Sequence, residues 1–275
     1  MDMQLKEKIS IITGSGRGIG KEIAQKFAKE DSTVILAAKS KKEIDQTLKE
    51  IENNGGKGIS FPTDISKLDE VTILVKKVIQ KFSKVDILIN NAGIVTPIGS
   101  IQTNDPIEWE NTIKTNLLGT YYCVYNVLPY MIKQNYGKII NLSGGGAFHP
   151  FPYFSAYSSS KAAIIRLTET LAKELEDYNI SINAISPGAI KTKITEQIIK
   201  NGDKAGNELL KAQEVMENGG ANIQNVLNLA LFLGSEKSNG LSGKTISAQW
   251  DDLQYIKNNI SEIQNSDKYT MRRIT

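Results

Sequence analysis

Tyr157 and Lys161 are the residues whose types and spacing could move a proton. They stand four residues apart at the start of a helix pattern, which places both side chains on one face of the helix. A free phenol has a pKa of about 10 and a nearby ammonium favours its anion, so the tyrosine could act as an acid or a base near neutral pH. Among ten tyrosines, about one such pair is expected by chance, so location must decide its meaning.

A glycine-rich turn near the start of the sequence could hold phosphate. It runs Thr13-Gly14-Ser15-Gly16-Arg17-Gly18-Ile19-Gly20, between an apolar run and a helix pattern. Glycine lets the backbone turn tightly and approach a pyrophosphate, and the N-terminus of the following helix points N–H groups and the positive end of its dipole at the anion. The turn alone is weak evidence, because glycine-rich loops also serve as plain turns.

Short β-type runs alternate with longer amphipathic stretches along the sequence. The predicted strands are Ile9–Thr13, Thr33–Ala38, Gly58–Pro62, Val85–Asn90, Lys138–Leu142, Ser181–Ser186 and Lys244–Ser247. The predicted helices are Ile19–Glu30, Lys42–Asn53, Lys67–Phe82, Ile107–Ile132, Ala156–Tyr178 and Asn222–Leu233. We therefore predict an α/β fold, a Rossmann-like doubly wound parallel sheet of about seven strands with helices on both faces, which binds ligands at the carboxyl ends of its strands.

Length and composition fit one dinucleotide-binding domain over residues 1–247 and a polar C-terminal tail over residues 248–275. Hydrophobic residues make up 40% of the 275, too many for a disordered chain. A formal net charge of +3 gives no reason to expect nucleic acid, and no run approaches the ~18 apolar residues of a membrane span. The single cysteine, Cys123, excludes an internal disulfide and fits a cytoplasmic location. With His149 the only histidine, no metal site is expected.

Six motifs in order over roughly Lys8 to Ser247 resemble the short-chain dehydrogenase/reductase family. They are the glycine turn, Asp64-Ile65 after the third strand, Asn90-Asn91-Ala92-Gly93 after the fourth, Asn116 in the next helix, Tyr157-x-x-x-Lys161 and Pro187-Gly188 after the sixth strand. The resemblance implies hydride transfer between a nicotinamide cofactor and a carbonyl/alcohol pair. It further implies that Tyr157 is the acid/base, that Lys161 bonds the nicotinamide ribose and that Asn116 completes a proton relay.

The same resemblance implies the cofactor contacts. Asp64 is expected to contact adenine, and Pro187-Gly188 with Thr192 to hold the nicotinamide carboxamide. The expected cofactor-binding residues are Gly14, Ser15, Gly16, Arg17, Gly18, Ile19, Gly20, Lys39, Ser40, Asp64, Ile65, Asn90, Ala92, Gly93, Tyr157, Lys161, Pro187, Gly188, Ile190 and Thr192.

The residues after the second strand favour NADP(H) over NAD(H). A site that prefers NAD places a carboxylate about 20 residues beyond the glycine turn, where it would repel a 2′-phosphate. This sequence has Ala38 there, followed by Lys39 and Ser40, and Arg17 lies inside the glycine turn. Two cations could therefore approach the phosphate from either side. The alternative is that both are solvated surface charges and that the site accepts either cofactor.

One position departs from the family pattern. The catalytic serine usually stands thirteen residues before the tyrosine, and Gly144 occupies that position, with Ser143 one residue earlier. Either the glycine run lets Ser143 reach the substrate oxygen, or backbone N–H groups of that run polarise it, or the site lacks this donor. We take Ser143 as the provisional fourth catalytic residue.

The sequence identifies the substrate less precisely than the type of reaction. Lys193 to Gly220 should cover the substrate pocket, and its polar composition suggests a sugar derivative or a polyol. The alternatives are a 3-oxoacyl-thioester reductase and a dinucleotide-sensing binding protein that has lost catalysis. Apolar residues on the two long helix patterns exceed what one sheet face can cover, so we also expect a homodimer or homotetramer.

Overall fold

Within residues 3–273, which the computed structural model describes, seven strands form one parallel sheet. They are β1 (Ile9–Thr13), β2 (Thr33–Ala38), β3 (Lys57–Pro62), β4 (Ile87–Asn90), β5 (Gly137–Leu142), β6 (Ile180–Ser186) and β7 (Thr245–Ser247). Their order is β3-β2-β1-β4-β5-β6-β7, and all neighbouring pairs are parallel. The predicted fold class is confirmed.

Helices cover both faces of this sheet. They are α1 (Gly18–Lys29), α2 (Lys41–Asn53), α3 (Leu68–Phe82), α4 (Pro106–Ile113), α5 (Gly119–Lys133), α6 (Ser155–Glu174), α7 (Lys193–Lys200), α8 (Glu208–Asn218), α9 (Ile223–Gly234), α10 (Leu253–Asn258) and α11 (Ile260–Gln264). Adjacent strand residues point to opposite faces, so Ile12 joins the apolar layer under α1 and α9 while Ile11 joins the layer under α3 and α5. No helix among residues 3–273 is long and apolar enough to cross a membrane.

The single helix predicted over Ile107–Ile132 is wrong in one respect. The structure has α4, then a π-helical turn over Lys114–Leu118, then α5 beginning at Gly119. At Gly119 a Cβ atom would come within 2.7 Å of the Ile65 side chain, so the close approach requires glycine. A π-turn shifts the apolar spacing by one residue, which a 3.6-residue pattern does not resolve.

The C-terminal segment packs on its own chain. Ile256 of α10 and Ile263 of α11 are fully buried and belong to the same apolar layer as α1 and α9. The backbone N–H of Thr245 in β7 donates to the Tyr269 carbonyl at 2.8 Å, and Arg272 pairs with Glu169 of α6 at 3.0 Å. The segment therefore covers the outer edge of β7.

Candidate active site

A cleft of about 290 Å³ lies at the carboxyl edge of the sheet, where the predicted motifs converge. The predicted residues that line it are Gly14, Gly16, Arg17, Gly18, Ile19, Lys39, Ser40, Ile65, Ala92, Gly93, Ser143, Tyr157, Lys161, Pro187 and Thr192. Those outside its lining are Ser15, Gly20, Asp64, Asn90, Asn116, Gly188 and Ile190. Glu43, Thr63, Ile94 and Thr115 are among the lining residues that the sequence interpretation did not single out.

The glycine turn is fastened to the end of β4. The Asn91 side-chain amide donates to the carbonyl oxygens of Thr13 (3.0 Å) and Gly14 (3.2 Å), and the Ala92 N–H donates to Thr13 Oγ1. Gly14 and Gly18 have φ of +65° and +55°, which favours glycine. Helix α1 begins at Gly18, so its N-terminus faces the cleft.

The turn has the features of a dinucleotide cradle. At Gly20 a Cβ atom would come within 2.5 Å of the Gly14 carbonyl oxygen, so a larger residue would fill the space behind the turn. The Ser15 hydroxyl is buried and has no hydrogen-bond partner among the described residues. Helix-terminal N–H groups and a glycine surface suit a pyrophosphate, so the residues present fit a nicotinamide dinucleotide.

The cations predicted at the phosphate end of the cleft are ion-paired. Arg17 Nη1 lies 2.6 Å from Glu43 Oε1 and 2.8 Å from Oε2, and Lys39 Nζ lies 2.9 Å from Asp64 Oδ2. Burial works to raise the pKa of Asp64, but hydrogen bonds from Ser66 and Lys39 outweigh it and lower the pKa. Both cations therefore already have a carboxylate partner.

Tyr157 and Lys161 lie side by side in α6, and both are buried. Lys161 Nζ is 5.6 Å from the centre of the Tyr157 ring and donates to the Leu142 carbonyl at 2.7 Å. Burial raises the pKa of Tyr157 to about 12 and lowers the pKa of Lys161 to about 8. Desolvation thus outweighs the expected effect of the ammonium on the phenol, and near neutral pH the tyrosine is a neutral proton donor.

Asn116 lies in the π-helical turn and is held in a single orientation. Its Oδ1 accepts from the Ile94 N–H at 2.8 Å, and its Nδ2 donates to the Ile94 carbonyl at 2.9 Å and to Ser160 Oγ at 3.0 Å. A Cβ atom at Gly93 would lie 3.3 Å from Asn116 Oδ1 and 3.6 Å from Lys161 Nζ. The fold therefore brings Asn116 and Lys161 to the same glycine at the end of β4.

Residues 8–203 match the family model for short chain dehydrogenases. The chain belongs to this family. A 3-oxoacyl-[acyl-carrier-protein] reductase of Thermotoga maritima is 36% identical over 244 residues, which cover 89% of this chain and 97% of the relative. A protein of the same name from Staphylococcus epidermidis is 34% identical and covers 87% and 96%.

Solved structures of the family superpose closely on this chain. NAD⁺-bound xylitol dehydrogenase has a TM-score of 0.82 at 26% identity and covers 89% of this chain and 98% of its own. An actinorhodin polyketide ketoreductase variant with NADPH has a TM-score of 0.81 at 25% identity and covers 90% and 97%. The chain is thus an NAD(P)-dependent oxidoreductase that acts on CH–OH or C=O groups.

The turn after β5 has glycine at position 144, where a serine is expected of a short-chain dehydrogenase. A side chain at Gly144 would overlap the Tyr157 phenol oxygen, so the tyrosine occupies the space that a residue 144 side chain would need. Ser143 is buried, and its hydroxyl points to the Lys161 carbonyl at 3.5 Å. Among the described residues, the N–H groups of Gly144, Gly145 and Gly146 have no hydrogen-bond acceptor.

Apolar side chains pack around Tyr157, and among them Ile194 also lines the cleft. The buried members of the cluster are Val95, Ile98, Phe154, Tyr157 and Ala205, and the half-buried members are Phe151, Ile194, Ile198 and Leu209. Four of them, from Ile194 to Leu209, belong to the segment that the sequence composition marked as polar. Because α7 and α8 turn their apolar residues inward, the composition of the segment did not describe the surface next to the tyrosine.

Proposed function

We propose that the protein reduces a 3-oxoacyl thioester with NADPH. The observation that carries this proposal is the apolar packing around Tyr157, which reaches the cleft at Ile194 and suits an acyl chain better than a sugar derivative or a polyol. The names of the two reductases from Thermotoga maritima and Staphylococcus epidermidis support the same substrate class. The favourable term is the burial of acyl methylenes, about 0.8 kcal/mol for each CH₂ group.

In the proposed reaction Tyr157 donates a proton to the carbonyl oxygen of the substrate. The bound cofactor would supply the hydride. The phenol of Tyr157 is neutral and can therefore donate this proton, because burial keeps its pKa well above neutral pH. Lys161 holds a positive charge beside the phenol and would bind the nicotinamide ribose. Asn116 fixes the turn at Ile94 and Gly93 against which the cofactor would lie, and would complete the proton relay.

Polarisation of the substrate carbonyl has two possible sources. Ser143, the fourth catalytic residue expected from the sequence, would have to rotate its hydroxyl away from the Lys161 carbonyl to reach the substrate. The N–H groups of Gly144, Gly145 and Gly146 need no such rotation to be free donors.

A substrate panel with NADPH tests the proposal. We expect kcat/KM for a short 3-oxoacyl thioester to exceed that for a ketose, and for polyol oxidation with NADP⁺, by at least about tenfold. A sugar or a polyol as the best substrate would overturn the acyl assignment. Binding of NADPH without turnover of any carbonyl compound would favour a dinucleotide-sensing protein.

We also propose that NADP(H) is preferred over NAD(H), since Ala38 stands at the end of β2 where a carboxylate would repel the 2′-phosphate, and Arg17 and Lys39 supply positive charge. The two solved structures named above carry NAD⁺ in one case and NADPH in the other, so family membership alone does not choose. Fluorescence titration should give a lower Kd for NADPH than for NADH. Equal values, or tighter NADH binding, would reject the preference.

We propose in addition that the protein is a homo-oligomer. Tyr121 and Tyr125 of α5 are exposed, and their rings lie tilted to one another with centroids 5.9 Å apart, which leaves an aromatic surface on this helix. A two-fold axis would bury such a surface in a second copy. Light scattering at micromolar concentration should therefore give at least twice the monomer mass of 30.3 kDa, and a monomer mass would reject the proposal.

A further inference from the structure

The Arg17–Glu43 ion pair lies in the lining of the cofactor cleft. Both oxygens of Glu43 contact one guanidinium nitrogen, and both residues line the cleft with Lys39 and Ser40. This is the end of the cleft that the residues after β2 mark for the adenosine ribose. The Glu43 carboxylate is therefore already paired with Arg17, the cation that we expect to bind the 2′-phosphate.

The backbone of Glu43 is fixed against the glycine turn. A Cβ atom at Gly16 would lie 2.7 Å from Glu43 Cβ, so α2 and the turn are already in contact. The Thr47 hydroxyl contacts the carbonyl oxygens of Gly16 (3.3 Å) and Glu43 (3.0 Å), and the Ser40 hydroxyl caps α2 by accepting from the Glu43 N–H. With the backbone fixed, the Glu43 carboxylate and Arg17 can separate only by rotation of their side chains.

The second cation does not compensate for this pairing. Lys39 has its own carboxylate, Asp64, at 2.9 Å. The net charge of these two ion pairs, Arg17–Glu43 and Lys39–Asp64, is therefore zero. A bound 2′-phosphate would have to displace Glu43 from Arg17, and the negative charge of Glu43 would repel it at close range. A ribose hydroxyl is neutral, so it neither needs Arg17 nor is repelled by Glu43.

We propose that Glu43 is a specificity-determining residue that weakens NADPH binding by competing with the 2′-phosphate for Arg17. The inference rests on the proposed use of NADP(H). Glu43 limits the preference that Ala38, Arg17 and Lys39 create, and it does so without touching the reacting atoms. NADH, which lacks the phosphate, leaves the ion pair intact.

Fluorescence titration of Glu43→Gln with NADPH and with NADH, at low ionic strength, tests the proposal. We expect the Kd for NADPH to fall by about tenfold and the Kd for NADH to change by less than about twofold. Glu50→Gln is the matched control, since Glu50 is on the same helix and pairs with Lys21 of α1 at 2.7 Å but does not line the cleft. In the control both Kd values should stay within about twofold.

The double variant Arg17→Gln, Glu43→Gln identifies the partner, because removing Arg17 should abolish the gain. An unchanged Kd for NADPH in Glu43→Gln, or an equal gain for NADH, would overturn the proposal. Weaker NADPH binding would also overturn it, since Glu43 would then be orienting Arg17 for the phosphate. Because the experiment measures cofactor binding, it tests the role of Glu43 even if the protein does not reduce 3-oxoacyl thioesters. Equal wild-type affinities would reject the preference but not the competition.

Discussion

The two ends of the cofactor cleft are built in opposite ways. At the catalytic end Tyr157, Lys161 and Asn116 are buried, and Lys161 and Asn116 donate hydrogen bonds to neutral groups. At the phosphate end the side chains of Arg17 and Lys39 are 52% and 62% exposed, and each pairs with a carboxylate. Burial shifts pKa values and fixes geometry, whereas exposed ion pairs are weak and exchange partners readily. Substitutions should therefore abolish chemistry at the first end and tune affinity at the second.

The largest expected effect is that of Tyr157→Phe. Removing the phenol oxygen takes away the proton donor and leaves the ring, so kcat should fall by at least about a thousandfold while the Kd for NADPH changes by less than about twofold. Steady-state kinetics and fluorescence titration measure the two quantities. Turnover within about tenfold of the wild type would show that another group handles the proton.

Gly144→Ala should come next, with a loss of roughly ten- to a hundredfold in kcat/KM, because the new methyl group would displace the Tyr157 phenol. Gly145→Ala is the matched control, since a Cβ atom there would only make ordinary contact with Phe151 at 3.7 Å. The same assay on both variants, with thermal unfolding as a check on folding, gives the answer. Equal activity of the two variants would mean that the tyrosine does not need this space.

Raising the pH from 7 to 9 should lower kcat/KM for carbonyl reduction by about tenfold at subsaturating NADPH. Burial lowers the pKa of Lys161 to about 8, so its ammonium is present below that pH and is lost above it. Burial also raises the pKa of Tyr157 to about 12, so the phenol stays protonated over this range and adds nothing to the slope. A profile that is flat up to pH 10 would contradict a titrating Lys161.

The smallest expected effect is that of Ser143→Ala, a loss of kcat/KM of less than about tenfold. Its hydroxyl points at the Lys161 carbonyl, so its removal leaves the N–H groups of the glycine run as donors. Steady-state kinetics with the best substrate of the panel measures the loss. A loss of a hundredfold or more would assign carbonyl polarisation to the hydroxyl instead.

Most of the sheet could be predicted because its strands are short apolar runs that end in turn residues. The predicted bounds of β1 and β2 are those observed, and β4 begins at Ile87, two residues after the predicted start at Val85. The helices α7, α8, α10 and α11 were not predicted. They have only five to eleven residues, a length at which a helix is marginal on its own, so contact with the rest of the chain decides whether they form.

The site was predictable where residues follow strand ends, since parallel strands bring their carboxyl ends to one edge of the sheet. Tyr157, Lys161 and the glycine turn meet for that reason. The pairing of Arg17 with Glu43 could not be predicted, because it joins two long side chains 26 positions apart and depends on where α2 packs.

The outer edge of β7 has a consequence for the behaviour of the protein in concentrated solution. An uncovered edge strand offers a row of backbone N–H and C=O groups that a strand of another molecule can join, which is a common start of aggregation. Here the Thr245 N–H is already used by the Tyr269 carbonyl of the same chain. The C-terminal segment therefore protects this edge of the sheet from the addition of a strand from another molecule.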